Sequence, residues 1–301
     1  MIKISSVLLA LALAAGTITG HAQGFAPRDL DGIWNYATMT PLERPRDLAA
    51  KPTLTPAEAA DYERQTIERQ STTNNTAGPD WWDPGTRFLT NGRTSLIVDP
   101  TDGRVPAPTP EAQQRAAART QARRARGPAD GPEDRALNER CLNWTVAGPP
   151  MLPGVYNNNV QIIQTRGYVV LVNEMIHDAR IVPVDGRPHG TLPQWMGDSR
   201  GRWDGATLVV DTVGFTEATA FRGSGAGLHL VERFTRVDAG TIEYRFTADD
   251  PSTWTRPFTG MFPMKKTVGP IYEYACHEGN ARSMIGMLRG ARAQEKPGGA
   301  Y

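Results

Sequence analysis

Residues 228–247 read LHLVERFTRVDAGTIEYRFT. Apolar and polar residues alternate on both sides of Asp238-Ala239-Gly240, and a short Gly-containing loop between two such runs is a hairpin signal. Side chains alternate faces along a strand, so one face collects Leu228, Leu230, Phe234, Ile242, Tyr244 and Phe246. Pairing Val237 with Thr241 sets Phe234 opposite Tyr244, Glu232 opposite Phe246, His229 opposite Asp249 and Arg233 opposite Arg245. Glu232 then stands on the apolar face. A carboxylate there is disfavoured in its charged form unless an Arg or a protonated His compensates, and Arg236 shares that face. The hairpin therefore specifies both a sheet and a chemically unusual position inside it.

The same texture runs through the second half of the chain. Residues 160–165 and 168–174 flank Arg166-Gly167, and residues 199–203 and 206–212 flank Asp204-Gly205. The second of these, read with Asp204-Gly205 as its turn, sets Arg202 opposite Thr207 and Asp198 opposite Asp211. Residues 271–275 read as a last short strand leading into Cys276. A succession of antiparallel hairpins predicts a mainly β fold, its sheet closed or nearly closed into a lipocalin-like barrel. Residues 134–301 form this β-rich domain.

Residues 23–133 are of another kind. A short strand is expected around Leu30–Asn35 and another over Thr94–Asp99, which Pro100 and Asp102-Gly103 end. Thr55-Pro56-Ala57-Glu58 and Thr109-Pro110-Glu111 carry helix-start signals, a Thr cap followed by Pro at the first helical position. The second helix bears Arg115, Arg119, Arg123, Arg124 and Arg126 but almost nothing apolar larger than Ala, so both helices are expected at the periphery. Between the helices, Trp81-Trp82 sits in a polar stretch, as a lid over a pocket or a plug at the edge of the core. Residues 127–133, rich in Gly, Pro and Asp, read as a mobile connector.

Residues 1–22 have the form of a signal peptide. Lys3 precedes an apolar run, Val7–Ala15, too short to cross a bilayer, and Gly20-His21-Ala22 supplies a cleavage site. The expected protein is periplasmic or secreted. The formal charge is +1, and 0 without Lys3, so no global field draws it to nucleic acid or to a membrane, and no membrane insertion is expected. Cys141 and Cys276, the two cysteines of the chain, are expected to pair in an oxidising compartment and to tether the start of the sheet to its last strand.

The residues that could carry chemistry concentrate between His177 and Arg236. His177, Glu232 and His229 are candidate acid–base groups, because imidazole is poised between about pH 5 and 8 and an apolar setting raises a carboxyl into the same range. Arg180, His189, Trp203 and Arg233 are candidate substrate-binding groups. Arginine's planar fork suits an anionic or polarised group, and Trp203 belongs to a set of tryptophans able to stack on sugars or aromatic rings. Bringing His177, Glu232 and Arg180 into one cavity requires their strands to share a wall. No organic cofactor is predicted. The histidines lack the short spacings of a metal motif, which leaves a divalent metal held by histidines as the lesser alternative.

HDARIVPVDGRPH, MGDSRGRWDGATLVVDT, LHLVERFTRVD, DDPSTWTRPF and GPIYEYACHEGN together resemble a family of exported bacterial proteins of uncharacterised activity. The likeness covers about the last 160 residues, with an echo in DGIWNYATMTPLERP. Members commonly show Asp where this chain has Ala206. The resemblance implies no activity.

Three functions fit these observations. One is an exported, cofactor-independent lyase, isomerase or hydrolase using acid–base chemistry on a small molecule such as a glycoside or aromatic compound in a barrel cavity. The second is a periplasmic binding module using the same pocket without turnover. The third is a structural partner of an outer-membrane system.

Overall fold

The computed structural model describes residues 25–72, 82–83, 86–127, 129–218, 221–280 and 282–294. The expected signal peptide and Trp81 lie outside them. The architecture is mainly β, one antiparallel sheet of ten strands with few helices. In chain order the strands are β1 Gly32–Asn35, β2 Ile97–Asp99, β3 Asn159–Thr165, β4 Tyr168–Asn173 and β5 Ala179–Pro183. They continue with β6 Asp198–Asp204, β7 Thr207–Val213, β8 His229–Asp238, β9 Thr241–Asp249 and β10 Phe258–Thr267. Their order is β5-β4-β3-β1-β10-β9-β8-β7-β6, with β2 beside β10. Hydrogen bonding does not close this sheet into a barrel: β5 and β6 are its two ends. The two lie close together all the same, because a Cβ on Gly201 of β6 would fall 2.6 Å from Val184 Cγ1, just past the end of β5.

Alternation decides what the concave face holds. Leu230, Glu232, Phe234 and Arg236 of β8 point inward, as do Ile242, Tyr244, Phe246 and Ala248 of β9. They meet Trp34 of β1 and Phe258, Phe262 and Met264 of β10 in one core. Phe234 and Phe262 pack against the Tyr244 ring at centroid separations of 5.0 and 5.1 Å.

The β8–β9 register has the expected pairs Glu232–Phe246, Phe234–Tyr244, Arg233–Arg245 and His229–Asp249. A bulge between Arg236 and Asp238 sets Asp238, not Val237, against Thr241. The β6–β7 hairpin is displaced from expectation by one residue. Asp204 pairs with Thr207, Gly205 takes the left-handed turn conformation with φ +59°, and Arg200, not Asp198, lies opposite Asp211.

Residues 271–275 form no strand. The last strand in chain order is the earlier β10, which lies inside the sheet and pairs with β9, β1 and β2. It tolerates Pro263 because of where its neighbours stop. The Met261 N–H reaches Leu96 O on the side away from β9, so two residues on, Pro263 has its missing N–H on that same side. That side is open there: β2 pairs with Thr259 and Gly260, and β1 only with Lys265–Thr267.

Helix α1, Pro56–Thr72, begins in a capping box, with Glu58 Oε2 accepting from the Thr55 N–H at 2.9 Å. Helix α2, Pro110–Arg124, is capped by Thr109 and buries only Ala112. Arg115 of the helix donates to Thr253, and Arg126, just past its end, clasps Glu133 and Asp134 at 2.6 and 2.8 Å. The C-terminal helices α3, Cys276–Asn280, and α4, Met284–Gln294, follow the sheet. Cys141 and Cys276 form a disulfide, which joins the segment before β3 to the start of α3 instead of to a strand. Among the described residues no helix is long and apolar enough to cross a membrane.

Candidate functional site

The sheet distributes the sequence-derived site residues over three places. Glu232 and Arg180 meet in the core. The guanidinium of Arg180 donates to Glu232 through two parallel bonds of 2.6 and 2.9 Å, and the side chains are 3% and 0% exposed. Tyr244 donates its hydroxyl to Glu232 at 2.7 Å and accepts the Met151 N–H at 3.1 Å. Burial acts to lower the Arg180 pKa, but the charge of Glu232 and the bonds to it hold it above its ordinary value. Burial, then the carboxylate, push the Tyr244 phenol well up. The compensating cation that an inward Glu232 requires is thus Arg180. Arg236, the cation suggested by sequence, bonds instead to Asp29 and to the carbonyl of Ala239.

His229, His189 and Arg233 lie on the outer face of β6–β8. Asp211 bridges the two imidazoles, Oδ1 to His189 Nε2 at 3.0 Å and Oδ2 to His229 Nε2 at 2.8 Å. His189 Nδ1 is 3.2 Å from Asp198, which also binds Arg200 and the Gly190 N–H. Both nitrogens of His189 therefore face carboxylates. Arg233 pairs with Asp204 at 2.9 Å. Trp203 packs half-buried against the core with the Arg28 guanidinium 5.5 Å from its ring centre. Sequence reasoning missed Asp211 as the bridge, since a one-residue register error set it against Asp198.

His177 is in neither group: unlike the fully buried Glu232, it is exposed. It lies on the corner between β4 and β5, where Ile176 and His177 have φ +58° and +49°. Two successive non-glycine residues in the left-handed region, one of them β-branched, mark stored backbone strain. The surroundings impose it. Met175 and Ile176 are buried in the core, Asn173 N–H donates to Asp178 O at 2.7 Å, and Glu174 accepts from Asn159 Nδ2 and the Tyr272 N–H at 2.7 and 2.9 Å.

The corner presents two titratable groups. His177 is exposed, with Nδ1 3.1 Å from Tyr274 O and the His277 ring centre 5.9 Å away. A carbonyl only accepts, so Nδ1 carries the proton and Nε2 of the neutral ring is left with its lone pair. Asp178 is the residue that sequence reading passed over. Its Oδ2 is buried and takes no hydrogen bond from the described residues. Burial pushes its carboxyl up to about 6, against the opposing pull of His177 and Arg180. Its only signal in the sequence was its position within HDAR.

Two clefts flank residues 145–153, the segment whose backbone Tyr36 and Tyr244 bind through Val146 O and the Met151 N–H. None of the predicted site residues lines either cleft. Among the described residues, no group of three His, Cys, Asp or Glu side chains is arranged to hold a metal ion. Comparison of the chain with protein-family models, with curated proteins and with solved structures finds no match.

Proposed function

We propose that this chain is an exported enzyme, periplasmic or secreted, that performs acid–base chemistry on a small organic molecule at the β4–β5 corner. The observation that carries the reading is Asp178, a carboxyl with a buried, unpartnered oxygen and a pKa near 6, beside an imidazole whose tautomer is fixed by Tyr274. Asp178 is half protonated near pH 6 and keeps a protonated fraction toward neutral pH, as a general acid requires, and His177 Nε2 is the complementary base. This pairing is that of a lyase, isomerase or hydrolase of the cofactor-independent kind. The buried Arg180–Glu232 pair supports the corner from behind. The side-by-side ends of the sheet, β5 and β6, favour a nearly closed, lipocalin-like barrel as the scaffold, and the long motifs shared with exported bacterial proteins favour common descent with that family.

The test is turnover of a panel of p-nitrophenyl esters and glycosides and of enolisable ketones by the mature protein. His177→Gln and Asp178→Asn should each lower the rate by about 10²–10⁴. Asp178→Asn should also abolish a rate limb near pH 6. Equal turnover by the wild type and both variants would remove the corner from the mechanism. Binding of the panel compounds at the corner with no turnover by any form would leave the binding-module reading in its place.

A further inference from the structure

We infer a second binding site, for a small aromatic or alicyclic carboxylate, in the cleft between residues 38–42 and 152–155. The cleft has a volume of about 330 Å³, within the range of small-molecule sites. Met39, Leu42, Leu96 and Leu152 give it apolar walls and Trp82 an aromatic surface. Its threonines are largely committed elsewhere. Thr38 and Thr86 donate to the carbonyls of Arg87 and Asp83, and Thr40 accepts the Leu89 N–H. Among the described residues, the one charged side chain in the lining is Arg222.

Arg222 is presented to the cleft by its neighbours. Phe221 is buried among Phe246, Trp254 and Phe258, and Arg222 then takes a left-handed conformation, φ +51°, ahead of Gly223 at φ +91°. Its guanidinium approaches Glu43 only to 3.8 Å, with both side chains partly exposed, and Glu43 also accepts the Val105 N–H. So loose a pair yields readily to a better-placed carboxylate, to which arginine offers two parallel N–H groups. A cleft with these apolar walls and, among the described residues, a single cation selects a ligand with an apolar body and one negative charge. A neutral analogue lacks the ion pair, and a dianion or a sugar has polar groups that the walls leave unbonded.

The experiment is calorimetric titration of the mature protein with 2-naphthoate and with its neutral counterpart, 2-naphthalenemethanol. Naphthoate should bind at least ten-fold more tightly than the alcohol. Arg222→Asn, which keeps a residue tolerant of positive φ, should weaken naphthoate at least ten-fold and leave the alcohol unchanged. Val155→Trp, which fills the cleft from its rim, should abolish binding of both, while His177→Gln should alter neither. Circular dichroism establishes that each variant is folded. No naphthoate binding at millimolar concentration, equal binding of acid and alcohol, or undiminished naphthoate binding by Arg222→Asn would each overturn the inference.

Discussion

Replacing Arg180 by Met tests the central physical claim about the core. In the native chain Glu232 has no solvent contact, and its oxygens are taken up by two bonds from Arg180 and one from Tyr244. The Arg180→Met variant removes two of the three donors and the only cation bonded to it. Breaking a buried pair from one side typically costs about 3–5 kcal/mol, because a charged partner is left without compensation in a medium that solvates it poorly. Full burial and bidentate geometry put this case at the upper end. The double variant Arg180→Met/Glu232→Met should recover most of the loss, since both desolvated charges are gone and the volumes are roughly conserved. It should not recover all of it. Tyr244 would keep the Met151 N–H but lose its acceptor, at about 1–3 kcal/mol. Urea unfolding at pH 7 measures all four corners of the cycle. A single variant that loses less than about 1 kcal/mol, or a double variant as unstable as the sum of the singles, would refute the reasoning.

Two further outcomes follow from the same structure. Asp178 keeps its proton to about pH 6 in the folded chain, against an ordinary value of 3.8. The folded state therefore binds more protons than the unfolded one between those values, and stability falls as pH rises through that window. Asp178→Asn should gain on the wild type by about 1–2 kcal/mol between pH 4 and pH 7.5, the full shift being reduced for a partly exposed group, and a difference that stays flat across urea titrations at several pH values would contradict the burial argument. Cys141→Ser/Cys276→Ser opens a loop with a sequence separation of 135, for which chain entropy alone gives about 5 kcal/mol; a fall in unfolding free energy of about 2–5 kcal/mol is expected, and none would mean that the closed loop restrains little.

Much of the sheet was legible because one face of it is buried. Wherever apolar residues alternate with polar ones, a one-residue slip turns the whole set outward, so the β8–β9 pairing follows from pattern alone. The β6–β7 hairpin was harder. Gly205 can occupy either central position of a tight turn, and the choice decides whether Asp211 faces Asp198 or Arg200. Strand β10 escaped notice because Gly260 and Pro263 break its signature. Both have tertiary causes: a Cβ at Gly260 would fall 2.3 Å from the Phe246 ring, and Pro263 faces the gap between β1 and β2. Neither cause exists in the local sequence. The same holds for the Arg180–Glu232 pair, which joins strands 52 residues apart across the inside of the sheet. Glu232 could be recognised as a carboxylate needing a cation, but not which cation.

That cation also links the core to the corner. Arg180 acts on two carboxyls, holding Glu232 through its terminal nitrogens and drawing the Asp178 pKa down from a distance, while its Nε makes no hydrogen bond among the described residues. Its pull on Asp178, like that of His177, is too small to offset burial. Asp178 therefore stays poised near pH 6 because burial outweighs both cations. In this arrangement the inward glutamate of β8 is a fully paired core residue, and the carboxyl that burial raises is Asp178, two residues before the arginine that Glu232 binds.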